Sequence, residues 1–535
     1  MTPAGGRRVA LLALALGLPA VVLAGASWEA FDLDRHAIPK ELALEVMAGV
    51  AGVALVATRG VRVPGRGDTP LLLWWLGGLA SALLAASGWP TLRALGLASA
   101  TLALFWVARA LATDGIRRPV LSLVALAATL GAGTGLVQAY GLLDIGVAAR
   151  APGGTFGNRN FMAHATVLGL PALLFLVLRA ERRGSVAVVT VATALCTIAV
   201  VLSRSRAAWL GLAATVTVAA LALRRADNVD PGLRRRRVPL LAGALALGAL
   251  VAVTVPNTLA WKSDSPYAES LRRVAEFREG SGRGRLIQYR NTLGMVAERP
   301  VFGVGPGNWP AAYARHTTPN DPAFSHVGLV PTNPWPSSDW VTLLAERGLL
   351  GLACAAAAFT LLARDGVRAL RGPEPERGIA ALALLAGLGV MGMFDAVLLQ
   401  GVPAALVPLS LGVLVAGEGT PARGPHPGTG SPPPGRVARP VTLAAALLAL
   451  AVVGRTAMDA VALARYDAAH ALDARAAAAR LAPGHFKLQM LVATEALRQR
   501  GCGAAHPWLE RATRLQPGAP ALVQARRACG LRPAR

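Results

Sequence analysis

This sequence has little charge: only 16% of its 535 residues are Asp, Glu, Lys or Arg, while 54% are hydrophobic. That excludes a string of soluble domains, because the apolar residues come in blocks of membrane-spanning length separated by short basic clusters. Acidic residues are the scarcer sign, 29 against 54 Lys and Arg, which leaves a formal net charge of +25. Such an excess invites a nucleic-acid partner, and its distribution along the chain argues against one. Cysteine is nearly absent. Cys196 and Cys354 fall inside apolar blocks as packing residues, and Cys502 and Cys529 sit near the C-terminus, where an oxidising compartment would permit a disulfide. No CxxC pair or Cys/His spacing supports a zinc site, and no motif calls for another metal or a cofactor. The glycine-rich GVGPGNW at 303–309 lacks the Lys-Ser/Thr and the preceding strand of a phosphate-cradling loop, so it reads as a turn.

The fold class expected is all-α, a polytopic membrane bundle. Thirteen spans are centred in 9–26, 40–57, 71–88, 94–112, 119–139, 161–178, 186–202, 207–223, 238–255, 340–362, 378–397, 401–417 and 440–454. If Arg7 and Arg8 lie on the cytoplasmic side, every second connection is arginine-rich. Arg59 and Arg62, Arg117 and Arg118, Arg182 and Arg183, Arg234–Arg237, Arg368 and Arg371, and Arg436 and Arg439 carry that alternation. It is the positive-inside pattern, and it puts 256–339 and everything after 455 on the outer face. In a bacterium this means the inner membrane, with a periplasmic loop and tail. Residues 9–26 can alternatively be read as a cleaved signal peptide ending near AGASWEA, with the same sidedness downstream.

The chain divides into N-terminal spans (1–255), a long outer loop (256–339), the rest of the membrane core (340–417), a Pro/Gly-rich disordered linker (418–439), a last span (440–454) and a helical tail (455–535). In the tail, RLAPG at 480–484 recurs as RLQPG at 514–518, an offset of 34 residues and the period of a tetratricopeptide unit. A bare helical hairpin is the plainer alternative. Helical repeats of this kind bind protein partners rather than perform chemistry.

Ionised groups at a membrane surface point to function. Arg204 and Arg206 stand in SRSRAAWLGL, Arg283, Arg285 and Arg290 in the long loop, and Asp339 and Glu346 at the start of the tenth span. Guanidinium forks match phosphate oxygens, so several arginines at one surface suit a phosphate-bearing ligand, whereas a single pair can merely anchor a helix end by snorkelling. In GTFGNRNFMAHATVLGLP the glycines permit a tight backbone turn, and Asn158 and Asn160 supply polar caps. Glu45 and Asp395 are the main mid-span charges, too few for a transporter without paired interrupted helices.

In order and wording these blocks resemble the O-antigen ligase and polymerase family, multi-span enzymes that move glycans off polyprenyl-diphosphate carriers. The matching elements are GTFGNRNFMAHATVLGLP, SRAAWLG with Arg206, GRLIQYRNTLGMVAERPVFGVGPGNW led by Arg285, and DWVTLLAERGLLGL, covering roughly 150–417. The resemblance implies a metal-independent glycosyl transfer at the outer face. Arg206 and Arg285, with Arg204 beside them, would hold the donor diphosphate, and a lipid A-core, glycan or protein would be the acceptor. Tetratricopeptide extensions recur among such proteins.

One element departs from the family. Counting back from Glu346, the family's His-Asn pair falls on Ser337 and Ser338, and a serine hydroxyl is no base near neutral pH. Asp339 can take the proton, His326 or His316 can fold back from the loop, or the reaction has been altered or lost. Glu346 is read as orienting the loop–helix junction through an arginine. The alternative function is a catalytically silent membrane scaffold that recruits envelope-assembly partners through its tail.

Overall fold

The computed structural model describes residues 2–59, 68–143, 150–226, 228–261, 263–276, 278–317, 321, 335–416 and 438–532, and among these residues it is helical with no strand. Before the long loop come α1 (Pro3–Leu23), α2 (Asp34–Arg59), α3 (Thr69–Ala82), α4 (Gly88–Thr113), α5 (Arg117–Ala139), α6 (Arg159–Leu178), α7 (Arg183–Ser203), α8 (Arg206–Arg225) and α9 (Pro231–Thr254). The loop carries α10 (Pro266–Arg272), α11 (Gly280–Glu298) and α12 (Trp309–Tyr313). After it follow α13 (Asp339–Leu370), α14 (Pro375–Phe394), α15 (Gly401–Leu414) and α16 (Ala438–Ala468). The tail adds α17 (Leu472–Leu481), α18 (Phe486–Arg500), α19 (Cys502–Leu515) and α20 (Pro520–Ala528).

Each of the thirteen apolar stretches falls on a helix, but among the described residues eleven are long enough to cross a membrane. The other two, α3 and α15, have 14 residues each, about 21 Å of helix against a hydrocarbon core of about 30 Å. Both are short because protein covers their ends. Ser81 in α3 donates to the carbonyls of Phe302 and Glu346 in the segments that close over it, and every residue of α15 is buried.

Small residues let the helices approach closely, as expected where no hydrophobic drive separates helix from lipid. A Cβ on Gly17 would strike Met47, one on Gly211 would strike Met391, and one on Gly412 would strike the Phe105 carbonyl. These contacts seat α1 on α2, α8 on α14 and α15 on α4. Helix α6 runs through the centre and is buried along most of its length.

The two ends of the bundle differ in charge. At one end Glu374 is surrounded by Arg117, Arg179 and Arg377, which brings the arginine-rich connections together. The other end carries the long loop and the tail. There Lys40 donates to the carbonyls of Val22 and Ala24 at the end of α1, at 2.6 and 2.7 Å, answering its C-terminal dipole.

The tail is seated on the bundle. Trp28, Phe31 and Ile38 from the α1–α2 connection share one core with Tyr466, Leu472, Phe486 and Leu509. His485 Nε2 lies 3.2 Å from Asp34. The repeated Pro-Gly turns do the same job twice: Gly484 abuts Trp89 and Gly518 abuts Ala314. A disulfide joins Cys502 to Cys529 across α19 and α20.

Candidate functional site

The α7–α8 turn decides where two neighbouring arginines go. Arg204 caps α7 in the left-handed region, with φ 52°, and Ser205 caps α8 by accepting from Ala208 N at 3.4 Å. The two guanidinium groups are thereby sent apart. Arg204 bonds Ser270 Oγ at 2.8 Å, reaches Glu269 at 3.4 Å and lies 4.7 Å over the Trp261 ring. It fastens α10 to the bundle. Arg206 is half-buried and donates to the Arg273 carbonyl and to Ser281 Oγ. Among the described residues it has no carboxylate partner, and its charged neighbours are Arg285 and Arg273.

Arg285 comes from the first turns of α11, and its buried Nε has no partner among the described residues. Around it stand Arg206, His164 of α6 and Tyr289, one turn further along α11. The Tyr289 hydroxyl lies 2.5 Å from the Ser337 carbonyl and 3.0 Å from that of Met393. Burial pushes this phenol up to about 12, with Asp395 adding to the rise and Arg285 opposing it. Gln288 accepts from Ser337 N at 2.8 Å and donates to the Trp335 carbonyl at 3.4 Å. The Ser337 segment is thus suspended from α11, on the turn that follows Arg285.

Asp339 is committed elsewhere. Its carboxylate accepts from Val397 N at 3.1 Å and from Leu398 N at 3.0 and 3.3 Å, clamping the start of α13 to the turn after α14. Asp395, in that turn, accepts from Ala396 N with Oδ1 only, which leaves Oδ2 without a hydrogen bond among the described residues. It lies among His164, Tyr289 and Asp339.

Glu346 meets backbone N–H groups at the loop–helix junction, with no arginine ion pair among the described residues. It accepts from Trp309 N at 3.4 Å and from Gly307 N, while Arg347 stacks on Trp74 at 4.0 Å. Gly348, with φ 65°, breaks α13 into a short first piece and a longer second piece, and a Cβ there would lie 2.2 Å from the Val301 carbonyl. Two of the family-like blocks interlock at this point. Val304 N donates to the Ala345 carbonyl at 2.9 Å, and Leu349 N to that of Pro300 at 2.8 Å. Asp339, Glu346 and Arg347 therefore all precede the break, and the piece that follows it runs to Leu370 without them.

His316 pairs with Glu298 at 3.6 Å. That is the far end of α11, about 20 Å from Arg285 at 1.5 Å per residue, so it does not reach the site. His326 lies outside the described residues. Asn158 caps α6, its Oδ1 accepting from Asn160 N at 2.9 Å, and the cap follows a one-turn helix at Gly154–Phe156. Two apolar cavities of about 150 and 320 Å³ lie among the membrane helices, and neither is lined by Arg206, Arg285 or Asp339.

The structure brings Arg206 and Arg285 together and adds Tyr289, Gln288, His164 and Asp395, which sequence reasoning did not assign to the site. Some signal was there. Tyr289 shares a helix face with Arg285, and His164 with Asn160, each at a spacing of four. Asp395 read as a mid-span charge but is the cap of α14.

Residues 191–356 match the family model described as O-antigen ligase. The stretch runs from within α7 to within α13 and contains Arg206 and Arg285, but neither α6 nor Asp395. Curated proteins gave no match.

Proposed function

We propose that this chain, a member of the O-antigen ligase family by its residues 191–356, moves a glycan from an undecaprenyl-diphosphate carrier to an acceptor hydroxyl at the outer face of a bacterial inner membrane. Arg206 and Arg285 carry this reading: both come from the loop end of the bundle, and neither has a carboxylate partner among the described residues. A donor diphosphate between them would receive charge-assisted hydrogen bonds from guanidinium groups already in place. The acceptor oxygen attacks the anomeric carbon, the bond from that carbon to the diphosphate oxygen breaks, and the electron pair leaves with the phosphate. Both arginines stabilise that growing charge.

The hydroxyl proton needs an acceptor, since Ser337 replaces the family's histidine. Of the two carboxylates at the site, the free Oδ2 of Asp395 suits the task better than Asp339, whose oxygens hold Val397 and Leu398. In this reading the loop and tail are periplasmic, the tail helices form a tetratricopeptide-like unit, and the acceptor is a lipid A-core, a glycan or a protein.

Reconstitution with an undecaprenyl-diphosphate oligosaccharide and candidate acceptors, following release of the carrier diphosphate, tests it. R206A and R285A should each lower release by about 100-fold or more while the protein remains folded. Undiminished release from either variant would sink the reading. A silent scaffold remains the second reading, favoured by Ser337 at the histidine position and by the partner-type helices of the tail. It predicts no release from the unmodified protein with any donor.

A further inference from the structure

A second group of arginines gathers at Arg204 and the Trp261 ring. Arg159 is the first residue of α6, where the helix dipole disfavours a cation. It is half-buried, and its guanidinium sits 5.3 Å over the Trp261 ring, the same indole that Arg204 covers at 4.7 Å. Arg150 is held beside it by backbone pairing, Arg159 N donating to the Arg150 carbonyl at 3.0 Å. The charges acting on Arg159 are those of Arg204 and Arg150, all of one sign. Only Arg204 has an acid, Glu269; among the described residues Arg150 and Arg159 have neither an ion pair nor a side-chain hydrogen bond. The buried Nε1 of Trp261 is also without a partner there.

Three guanidinium groups close together, two of them unneutralised, repel one another. The backbone nonetheless builds the arrangement firmly, through the Asn158 cap and the glycine turn before it. We infer that Arg150, Arg159 and the indole N–H of Trp261 form a second anion subsite, which takes a phosphate or carboxylate group separate from the donor diphosphate. The placement suits an anionic group on the acceptor: the Trp261 ring is shared by Arg159 and Arg204, and Arg204 stands two residues along the chain from the diphosphate arginine Arg206. The subsite itself does not depend on the transfer reading; its assignment to the acceptor does.

The test uses the full chain in phosphatidylcholine nanodiscs, titrated with inorganic phosphate while tryptophan fluorescence is followed and the W261F trace is subtracted. The unmodified protein and R206A/R285A should give the same saturable Trp261 response. R150A/R159A should need at least about tenfold more phosphate. An unaltered curve in R150A/R159A, or a Trp261 signal indifferent to phosphate, would overturn the subsite. Where transfer is measurable, R159A should raise KM for a phosphorylated acceptor and leave a phosphatase-treated acceptor and the donor unchanged. A rise in donor KM instead would assign the same anion subsite to an acidic donor sugar. Loss of the phosphate response in phosphatidylglycerol nanodiscs would assign it to a lipid headgroup. A matching rise in KM for the dephosphorylated acceptor would reduce Arg159 to a structural role and overturn the assignment.

Discussion

Charges at the loop end of the bundle fall into two regions that treat them oppositely. At the start of α13 and at the tail junction charges are engaged. Asp339 holds two backbone N–H groups, Glu346 holds Trp309 N, Arg93 is bidentate to Glu41 at 2.8 Å, and His485 meets Asp34. Around α6, α8 and α11 they are not: Arg150, Arg159, Arg206 and Arg285 have no acid among the described residues, and Asp395 keeps one oxygen free. Arg150 is exposed, but Arg159 and Arg206 are half-buried, and partly buried charge without a partner is costly unless a ligand completes it. The first region reads as architecture, and the second is where the proposed sites lie.

Four substitutions test that division, taken from the largest effect down. R285A should reduce glycan release by about 100- to 1,000-fold, roughly 3–4 kcal/mol in the transition state, with no loss of melting temperature; a lower melting temperature would move Arg285 into the architectural region. D339A should do the reverse. Leaving Val397 N and Leu398 N buried without an acceptor costs about 2–4 kcal/mol, read as a lower melting temperature in detergent, and a stable but inactive D339A would make Asp339 chemical. C502S/C529S opens a closure spanning 27 residues and should weaken the tail by about 3 kcal/mol. Limited proteolysis should then cut at α19–α20 while the membrane helices stay intact.

Y289F sits on the boundary between the regions. It loses one hydrogen bond, about 1 kcal/mol. The phenol is pushed up to about 12 from 10, so folding favours its neutral form. Its contribution to stability is therefore complete below about pH 10 and lost as pH rises toward 12. Thermal unfolding of the unmodified protein should weaken across that window, and Y289F should not show this component.

How much of the site could be read beforehand follows from the kind of signal each residue leaves. Arg206 and Arg285 were legible because charged residues next to apolar blocks stand out and because the surrounding words resemble a family. Asn158 was legible as a cap from its place before a helix. The engagement of Asp339 was not, because its partners are backbone groups of residues 397 and 398, which every residue but proline possesses. Arg204 and Arg206 look equivalent in SRSRAAW, and only the left-handed turn at Arg204 separates an arginine paired with an acid from one without a carboxylate among the described residues. Tyr289 and Gln288 grip the Ser337 segment through side chains whose targets lie almost fifty residues away.

Span positions, the all-helical class, the likeness to the O-antigen ligase family and the pairing of the two Pro-Gly turns were written into local patterns, because hydropathy over some twenty residues and short words are properties of neighbours in the chain. Which helices stop short, which charges are engaged and which are left without an acid were decided by tertiary structure alone. Those outcomes depend on where distant backbone N–H and C=O groups arrive, and a sequence shows that every residue has such groups without showing which of them meet.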